Sequence, residues 1–228
     1  MTSPAAGRPL LTATRLTKTH HTNAGQVPAL HDVSFDLDQG TFCVLTGPSG
    51  SGKSTLLSVL AGWDTADTGT LTWSLHISHP ASWRSVAVVP QSVGLLAELT
   101  IGENVALPAR LCGNREPQPT PLLDRLGIGH LAGRYPAQAS LGEQQRAAVA
   151  RALTTRPSLV LLDEPTSHQD SDTTDLVIAL LREAVDQGAC VLTATHAPAL
   201  AAAAAADRTL RMLDGHLTQR APDRQART

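Results

Sequence analysis

A glycine-rich stretch between a predicted strand and a predicted helix constrains this chain more than any other feature. The apolar run 41–45 predicts a buried strand, and the run 56–61 predicts a helix. Between them lie three glycines followed by a lysine and two hydroxyl residues: Gly47, Pro48, Ser49, Gly50, Ser51, Gly52, Lys53, Ser54 and Thr55. A strand, a glycine-rich turn, Lys-Ser and a helix in this order predict a phosphate-binding loop.

Each residue type in this loop has a physical reason to be there. Glycine has no Cβ, so the backbone can curl and bring successive N–H groups around phosphate oxygens. The helix that follows directs its positive end at the same place. Lys53 adds a point charge, and the Ser54 hydroxyl is placed to bind Mg²⁺. The alternative is a glycine-rich loop that matches by chance, which the flanking strand and helix disfavour.

Composition restricts the class of protein. The 228 residues suffice for one large domain or for one domain with a subdomain, and 42% hydrophobic residues supply a core. A net charge of −2 without a basic tail argues against nucleic acid as a partner. Three widely spaced cysteines form neither a disulfide framework nor a metal motif. Without a secretion signal or an apolar run of about 20 residues, we expect a soluble, cytoplasmic protein.

The order of predicted elements indicates the fold class. Strands are expected at 10–16, 29–37, 41–45, 70–73, 85–89, 158–162, 189–194 and 208–213, with a turn at 20–25 and a frayed tail from Gln219. Helices are expected at 56–61, 101–107, 121–126, 141–153, 172–184 and 198–206. Alternating strands and helices in the second half predict an α/β fold whose parallel sheet is covered on both faces.

The predicted domain organisation is a single domain over residues 1–228. Its core comprises 1–93 and 141–228, with a mixed sheet and a small antiparallel β part. Residues 94–140 are expected to form an inserted helical subdomain, because two predicted helices and a proline-rich loop interrupt the strands there.

Two acids follow a second apolar strand. Asp163 and Glu164 end the run that begins at Leu159, and ligands of a parallel sheet lie beyond the carboxyl ends of its strands. We therefore expect Asp163 to meet the phosphate loop and hold Mg²⁺, and Glu164 to polarise an attacking water. This pair favours hydrolysis over phosphoryl transfer to a substrate. The alternative is an acidic turn after a core strand.

Polar side chains also follow the carboxyl ends of two other predicted strands. His196 follows one apolar run and is placed to contact a terminal phosphate, whereas Gln91 follows another and can touch Mg²⁺ or water without adding charge. Either residue alone is a weak signal, since only its position distinguishes it.

In this order, the motifs together resemble the ATPase subunit of ABC transporters over nearly the whole chain. The stretches that carry the resemblance are the phosphate loop, Gln91, 140–146, 163–167, Asp170 and His196. The segments 98–100 and 103–108 are similar to the subgroup that energises lipoprotein-release, macrolide-export and cell-division permeases.

The resemblance implies a P-loop NTPase (RecA-like) core that binds ATP and Mg²⁺. Two such subunits, identical or different, would sandwich two ATP molecules and drive a membrane permease from the inner face of the cell membrane. By position in the family pattern, the metal site comprises Ser54, Gln91 and Asp163, the base is Glu164, and the phosphate-contacting switch is His196. Ser140 and Gly142 would cap the γ-phosphate bound to the opposite subunit.

Two positions depart from the family pattern. His20 stands where an aromatic residue usually stacks on adenine, and histidine stacks more weakly. Leu141 replaces the first glycine of the family signature, so a side chain stands where backbone normally approaches ATP.

Two other functions compete with a transport ATPase. An ATP-gated clamp with little hydrolysis would suit Leu141, but it needs neither Glu164 nor His196. A DNA-repair or translation ATPase of the same superfamily would carry coiled-coil insertions, zinc modules or tandem domains, and this sequence shows none.

Replacing Lys53 with alanine is expected to abolish nucleotide binding, because the loop loses its only point charge. Titration of the Lys53→Ala variant with ATP measures this directly. Affinity equal to that of the parent would show that the loop is assigned wrongly.

Overall fold

The computed structural model describes residues 9–22, 25–74, 82–167, 169–196 and 204–220. The helix predicted at 198–206 therefore lies mostly outside the described residues, and its described end is a turn at Ala204 and Ala205. Within the described part of the chain, no helix combines the length and hydropathy that crossing a bilayer requires.

The described strands form two sheets. In chain order they are β1 (Leu11–Thr22), β2 (Gly25–Leu37), β3 (Phe42–Thr46), β4 (Thr68–Trp73), β5 (Val86–Val89), β6 (Leu159–Asp163), β7 (Cys190–Thr195), β8 (Arg208–Leu213) and β9 (His216–Arg220). A small antiparallel sheet has the order β2-β1-β4, and a larger sheet has the order β5-β6-β7-β3-β8-β9. The larger sheet is parallel except for the β8–β9 pair. The predicted mixed sheet with a small antiparallel part is confirmed.

The helices lie in the expected places. They are α1 (Lys53–Leu60), α2 (Ile101–Leu111), α3 (Thr120–Arg125), α4 (Leu141–Leu153) and α5 (Ser171–Asp186). Residues 94–140 hold α2, α3 and two short 3₁₀ turns, and all of these residues are described without a strand among them. Their division from the rest of the chain as a subdomain stays a prediction.

The structure corrects two predictions at strand ends. The sequence predicts a turn at residues 20–25, but β1 continues to Thr22 and β2 begins at Gly25, with these two residues paired across the strands. It also predicts a frayed tail from Gln219, but β9 runs to Arg220 and pairs with β8. Both segments are polar, so hydrogen bonding to a neighbouring strand forms them where the hydrophobic pattern gave no signal.

Helix α2 is longer than predicted because Pro108 does not end it. The helix continues to Leu111 with Pro108 inside it. Proline removes one backbone hydrogen bond from a helix. Val105 and Ala109 on either side of this proline are buried, so the apolar face of the helix runs on through it.

Two apolar clusters cover the two faces of the larger sheet. Val44, Val160 and Val191 belong to the cluster that includes buried residues of α4 and α5. Their strand neighbours Cys43 and Leu161 belong to the cluster that includes α1 and the antiparallel sheet. This alternation follows from the two-residue period of a strand. The prediction of a parallel sheet covered on both faces is confirmed.

The segment 94–140 packs directly on the sheet. Ile101 and Val105 of α2 and Leu123 of α3 are buried in the same cluster as Val160 of β6. Thr100 caps α2: its hydroxyl accepts from the amide of Glu103, whose carboxylate accepts in turn from the Thr100 amide. These two contacts form a capping box, which fixes where α2 begins.

Replacing Thr100 with alanine is expected to lower the free energy of unfolding by about 1 kcal/mol, because the amide of Glu103 loses its acceptor. Urea unfolding of the two proteins measures the difference. Thr100→Ser keeps the hydroxyl and serves as the control, which should remain within a few tenths of the parent. Equal losses in both variants would contradict the capping role.

Candidate active site

The phosphate loop joins β3 to α1 at the carboxyl edge of the larger sheet. Two of its glycines are required by contacts as well as by backbone angles. A Cβ on Gly47 would lie 2.2 Å from the carbonyl oxygen of Met212, and one on Gly52 would lie 2.3 Å from that of Ala29. Gly52 also adopts a φ of +101°, which favours glycine. The loop is therefore pressed against β8 and β2.

The donors of this loop are concentrated at one place. Lys53 is buried, and its Nζ donates to the carbonyl oxygens of Gly47 (2.8 Å) and Pro48 (3.0 Å). The buried Oγ of Ser51 has no hydrogen-bond partner among the described residues. A curled backbone, an ammonium group and an unused hydroxyl at the start of α1 fit the phosphates of a nucleotide.

Asp163 at the end of β6 meets this loop, as the sequence predicts. The Oγ of Ser54 donates to Oδ2 of Asp163 over 2.6 Å. Burial raises the pKa of Asp163, and the charge of Glu164 raises it further, whereas the hydrogen bond from Ser54 and the charge of Lys53 lower it. A buried carboxylate beside a hydroxyl needs a cation to balance it.

Gln91 lies on the same site. Together with Ser54, Asp163 and Trp63, this side chain lines a pocket of about 410 Å³. The hydroxyl, carboxylate and amide groups supply the oxygen ligands that Mg²⁺ prefers. The residues present therefore fit Mg²⁺.

The register of three parallel strands aligns the site. Thr46 of β3 pairs with Thr195 of β7, and Asp163 of β6 pairs with Ala194 of β7. The phosphate loop, the acids and His196 therefore leave the sheet at the same edge.

Glu164 and His196 form a hydrogen-bonded pair. Oε1 of Glu164 accepts from the backbone amide of His196 and lies 2.8 Å from its Nδ1, while Oε2 accepts from the hydroxyl of Thr195. A carboxylate only accepts, so Nδ1 carries the proton in this contact.

Glu164 has a φ of +51°, a left-handed backbone that costs about 1–2 kcal/mol for a residue with a side chain. Such strain is typical of functional sites.

The remaining predicted residues lie beside the loop or on α4. Nε2 of His20 lies 3.1 Å from Oγ1 of Thr55, which places the imidazole against the first turn of α1. Ser140 is the N-cap of α4, and its amide and hydroxyl both contact the carboxylate of Glu143. Gly142 is buried, whereas Leu141 is 47% exposed. Ser140 therefore forms these hydrogen bonds within its own helix.

Sequence reasoning gave no role to two residues that the structure places at the site. Trp63, which is 61% exposed, lines the pocket beside Gln91. Gln145 of α4 donates to the carbonyl oxygen of Glu164. The stretch that carries Gln145 contributed to the family resemblance, but no spacing or periodicity connects this residue with Glu164.

A glycine-rich loop after a parallel strand, with a carboxylate from a second strand end beside its serine, defines a nucleotide-binding protein of the P-loop NTPase class. Residues 30–167 match the family model described as ABC transporter. The chain belongs to the ABC transporter family, as one of its ATP-binding, ATP-hydrolysing members.

Curated relatives and solved structures agree with this assignment. The chain is 37% identical to the lipoprotein-releasing system ATP-binding protein LolD of Shewanella denitrificans, over 95% of this chain and 97% of the relative. It is 39% identical to LolD 2 of Caulobacter vibrioides, over 92% and 96%. The dimeric post-hydrolysis structure of the ATP-binding cassette MJ0796 bound to ADP and Pi is similar, with a TM-score of 0.81 and 28% identity over 92% of this chain and 98% of that chain.

Replacing Asp163 with asparagine is expected to raise the melting temperature at neutral pH while lowering phosphate release from ATP about 100-fold or more. The amide still accepts from Ser54 but carries no buried charge, and it binds Mg²⁺ poorly. Thermal melts and a phosphate assay test both effects. Asp175→Asn, an exposed site on α5, is the control and should change neither.

The stability that Asp163→Asn gains over the parent depends on pH in a defined direction. Because the folded-state pKa of Asp163 is raised, its ionised form costs stability at any pH above that pKa. The cost fades as the pH falls through the folded-state pKa and is absent below the pKa of an unfolded aspartate. The advantage of Asp163→Asn should therefore shrink in acid, and an advantage that grows in acid would contradict the burial argument.

Proposed function

We propose that this chain is the ATP-hydrolysing subunit of a lipoprotein-release type of ABC transporter, which pairs with a second ATPase subunit and drives a separate membrane permease. One observation carries the proposal: the Ser54–Asp163 contact and the Glu164–His196 pair lie at one edge of the sheet. The similarity to LolD proteins over almost their full length supports the type of transporter.

In this proposal the loop holds the nucleotide by its phosphates. Backbone N–H groups of the loop from Gly47 to Thr55, except at Pro48, surround the phosphate oxygens, and the ammonium of Lys53 balances their charge. Ser54, Asp163 and Gln91 hold Mg²⁺, which when bound neutralises phosphate charge. His20, beside Thr55, is positioned to stack on the adenine base.

Glu164 is the proposed general base. Its carboxylate is mostly buried and is held by Thr195 and His196, so its orientation is fixed before water arrives. It accepts the proton of the attacking water. His196 is 65% exposed, so the far side of its ring can face the terminal phosphate.

The second subunit completes the site in this proposal. The similar cassette structures are dimers. The N-terminus of α4, with Ser140 and Gly142, would approach the γ-phosphate on the partner subunit, where an N–H group and the helix dipole favour negative charge. The complex would lie on the cytoplasmic side of the inner membrane, held by its permease.

A second candidate function is an ATP-gated clamp with weak hydrolysis. The observation that favours it is Leu141, whose apolar side chain is 47% exposed in the first turn of α4. A leucine there adds bulk to the surface that would face the partner's nucleotide, and this bulk limits closure of the dimer.

Replacing Glu164 with glutamine separates the two candidates. In the transport ATPase, the parent releases phosphate from ATP, and Glu164→Gln lowers the rate about 100-fold or more while retaining bound ATP, because only the base is lost. Phosphate release and ATP retention on a filter measure this. Slow release in the parent that does not change in Glu164→Gln would favour the clamp.

A further inference from the structure

Gln145 is a buried polar residue of α4 that contacts the segment after β6. Its side chain is 1% exposed. Its Nε2 donates to the carbonyl oxygen of Glu164 over 2.6 Å, and its Oε1 accepts from the hydroxyl of Ser167 over 3.3 Å. Both ends of the amide are therefore occupied, and both contacts are with the segment that carries Glu164.

The carbonyl group of Glu164 has a second donor besides Gln145, the Ser167 amide (3.2 Å). The single hydroxyl proton of Ser167 is shared between this carbonyl (2.9 Å) and Oε1 of Gln145 (3.3 Å). The Ser167 contacts belong to the turn itself, whereas Gln145 reaches in from another element. On the other side, the amide of Glu164 donates to the carbonyl oxygen of Ala194 in β7. Glu164 is thus fixed between α4 and β7.

This fixation matters because the backbone of Glu164 is left-handed, with a φ of +51°. Such a conformation persists only when surrounding contacts hold it. It also sets the direction of the Cα–Cβ bond, and from there the carboxylate reaches Thr195 and His196. Losing the donor at the carbonyl would allow the peptide to rotate and the carboxylate to leave this position.

We propose that Gln145 is a positioning residue for hydrolysis: its amide holds the backbone of Glu164 in the conformation that aims the carboxylate. The inference rests on the proposed role of Glu164 as the base. The side-chain amide of Gln145 would thereby act in hydrolysis without contacting the phosphate loop or the proposed metal ligands.

The first experiment replaces Gln145 with methionine, which keeps the length of the side chain but removes both hydrogen bonds. We expect kcat for ATP hydrolysis to fall about 10- to 100-fold, with KM for ATP within about threefold of the parent, because nucleotide binding does not use this contact. Thr154→Val is the matched control. It removes side-chain hydrogen bonds at the far end of α4, to Val105 and Ala150, and should leave kcat within about twofold.

The second experiment replaces Gln145 with glutamate and compares it with the parent at each pH. A protonated carboxyl group can donate to the carbonyl of Glu164, whereas a carboxylate only accepts and repels it. The activity of Gln145→Glu relative to the parent should therefore rise as the pH is lowered. The relative activity of Gln145→Met should not change with pH. Burying a carboxylate also costs stability that fades in acid, so thermal melts at each pH confine the comparison to conditions in which both variants are folded.

Two results would overturn the inference: parental kcat in folded Gln145→Met while Glu164→Gln is inactive, or a reduced relative activity of folded Gln145→Glu that stays constant across the pH range. Failure of the proposed function gives a different pattern. In that case the parent itself releases no phosphate, or Glu164→Gln is as active as the parent.

Discussion

The contact between the Ser54 hydroxyl and the Asp163 carboxylate is the interaction on which the site depends, and it exists only because of strand order. β3 and β6 are not neighbours, since β7 lies between them, and the register of both pairs brings their carboxyl ends level. A slip of one residue in either pair would turn Asp163 or Thr46 to the opposite face of the sheet. Both faces of β6 and β7 are buried, so the fit of their side chains into the two apolar clusters holds that register. Core packing therefore fixes the geometry of the proposed metal site.

The site is locally unfavourable in several ways that the rest of the fold must offset. Asp163 is a buried acid with a raised pKa, Glu164 has a left-handed backbone, and the Ser51 hydroxyl is buried without a partner among the described residues. Each feature costs free energy in the isolated chain, and a bound phosphate and cation would relieve the first and the third. A protein selected only for stability would have replaced these groups. Their joint presence at one sheet edge is the physical signature of a binding site.

The fold was largely predictable because its signals are local or periodic. The strand–glycine–lysine–helix order located α1 and its loop, and α4 and β8 were predicted with the bounds that the structure gives them. Polar pairing segments escaped prediction, as in the outer part of β1 and in β9, because inter-strand hydrogen bonds form them without a hydrophobic pattern. The positions of Asp163, Glu164 and His196 at one edge were predictable because the carboxyl ends of parallel strands lie at the same edge of a sheet. The contact of Gln145 with Glu164 did not, because it depends on how α4 packs against the sheet, which no sequence period encodes.

Helix α4 connects two parts of the site that sequence motifs treat as separate. Its N-cap, Ser140, forms a capping box with Glu143, so the first turn is already rigid in the absence of a partner. Gln145 lies little more than one turn further on and contacts the backbone of Glu164. A helix is stiff over so short a distance, so the position of its N-terminus and the position of the Glu164 backbone cannot vary independently. Leu141 stands at the exposed end of this rigid unit. Leu141, which stands where the family signature has a glycine, therefore affects the surface that α4 presents to a partner. Through the same helix it also affects the position of Glu164 in its own chain.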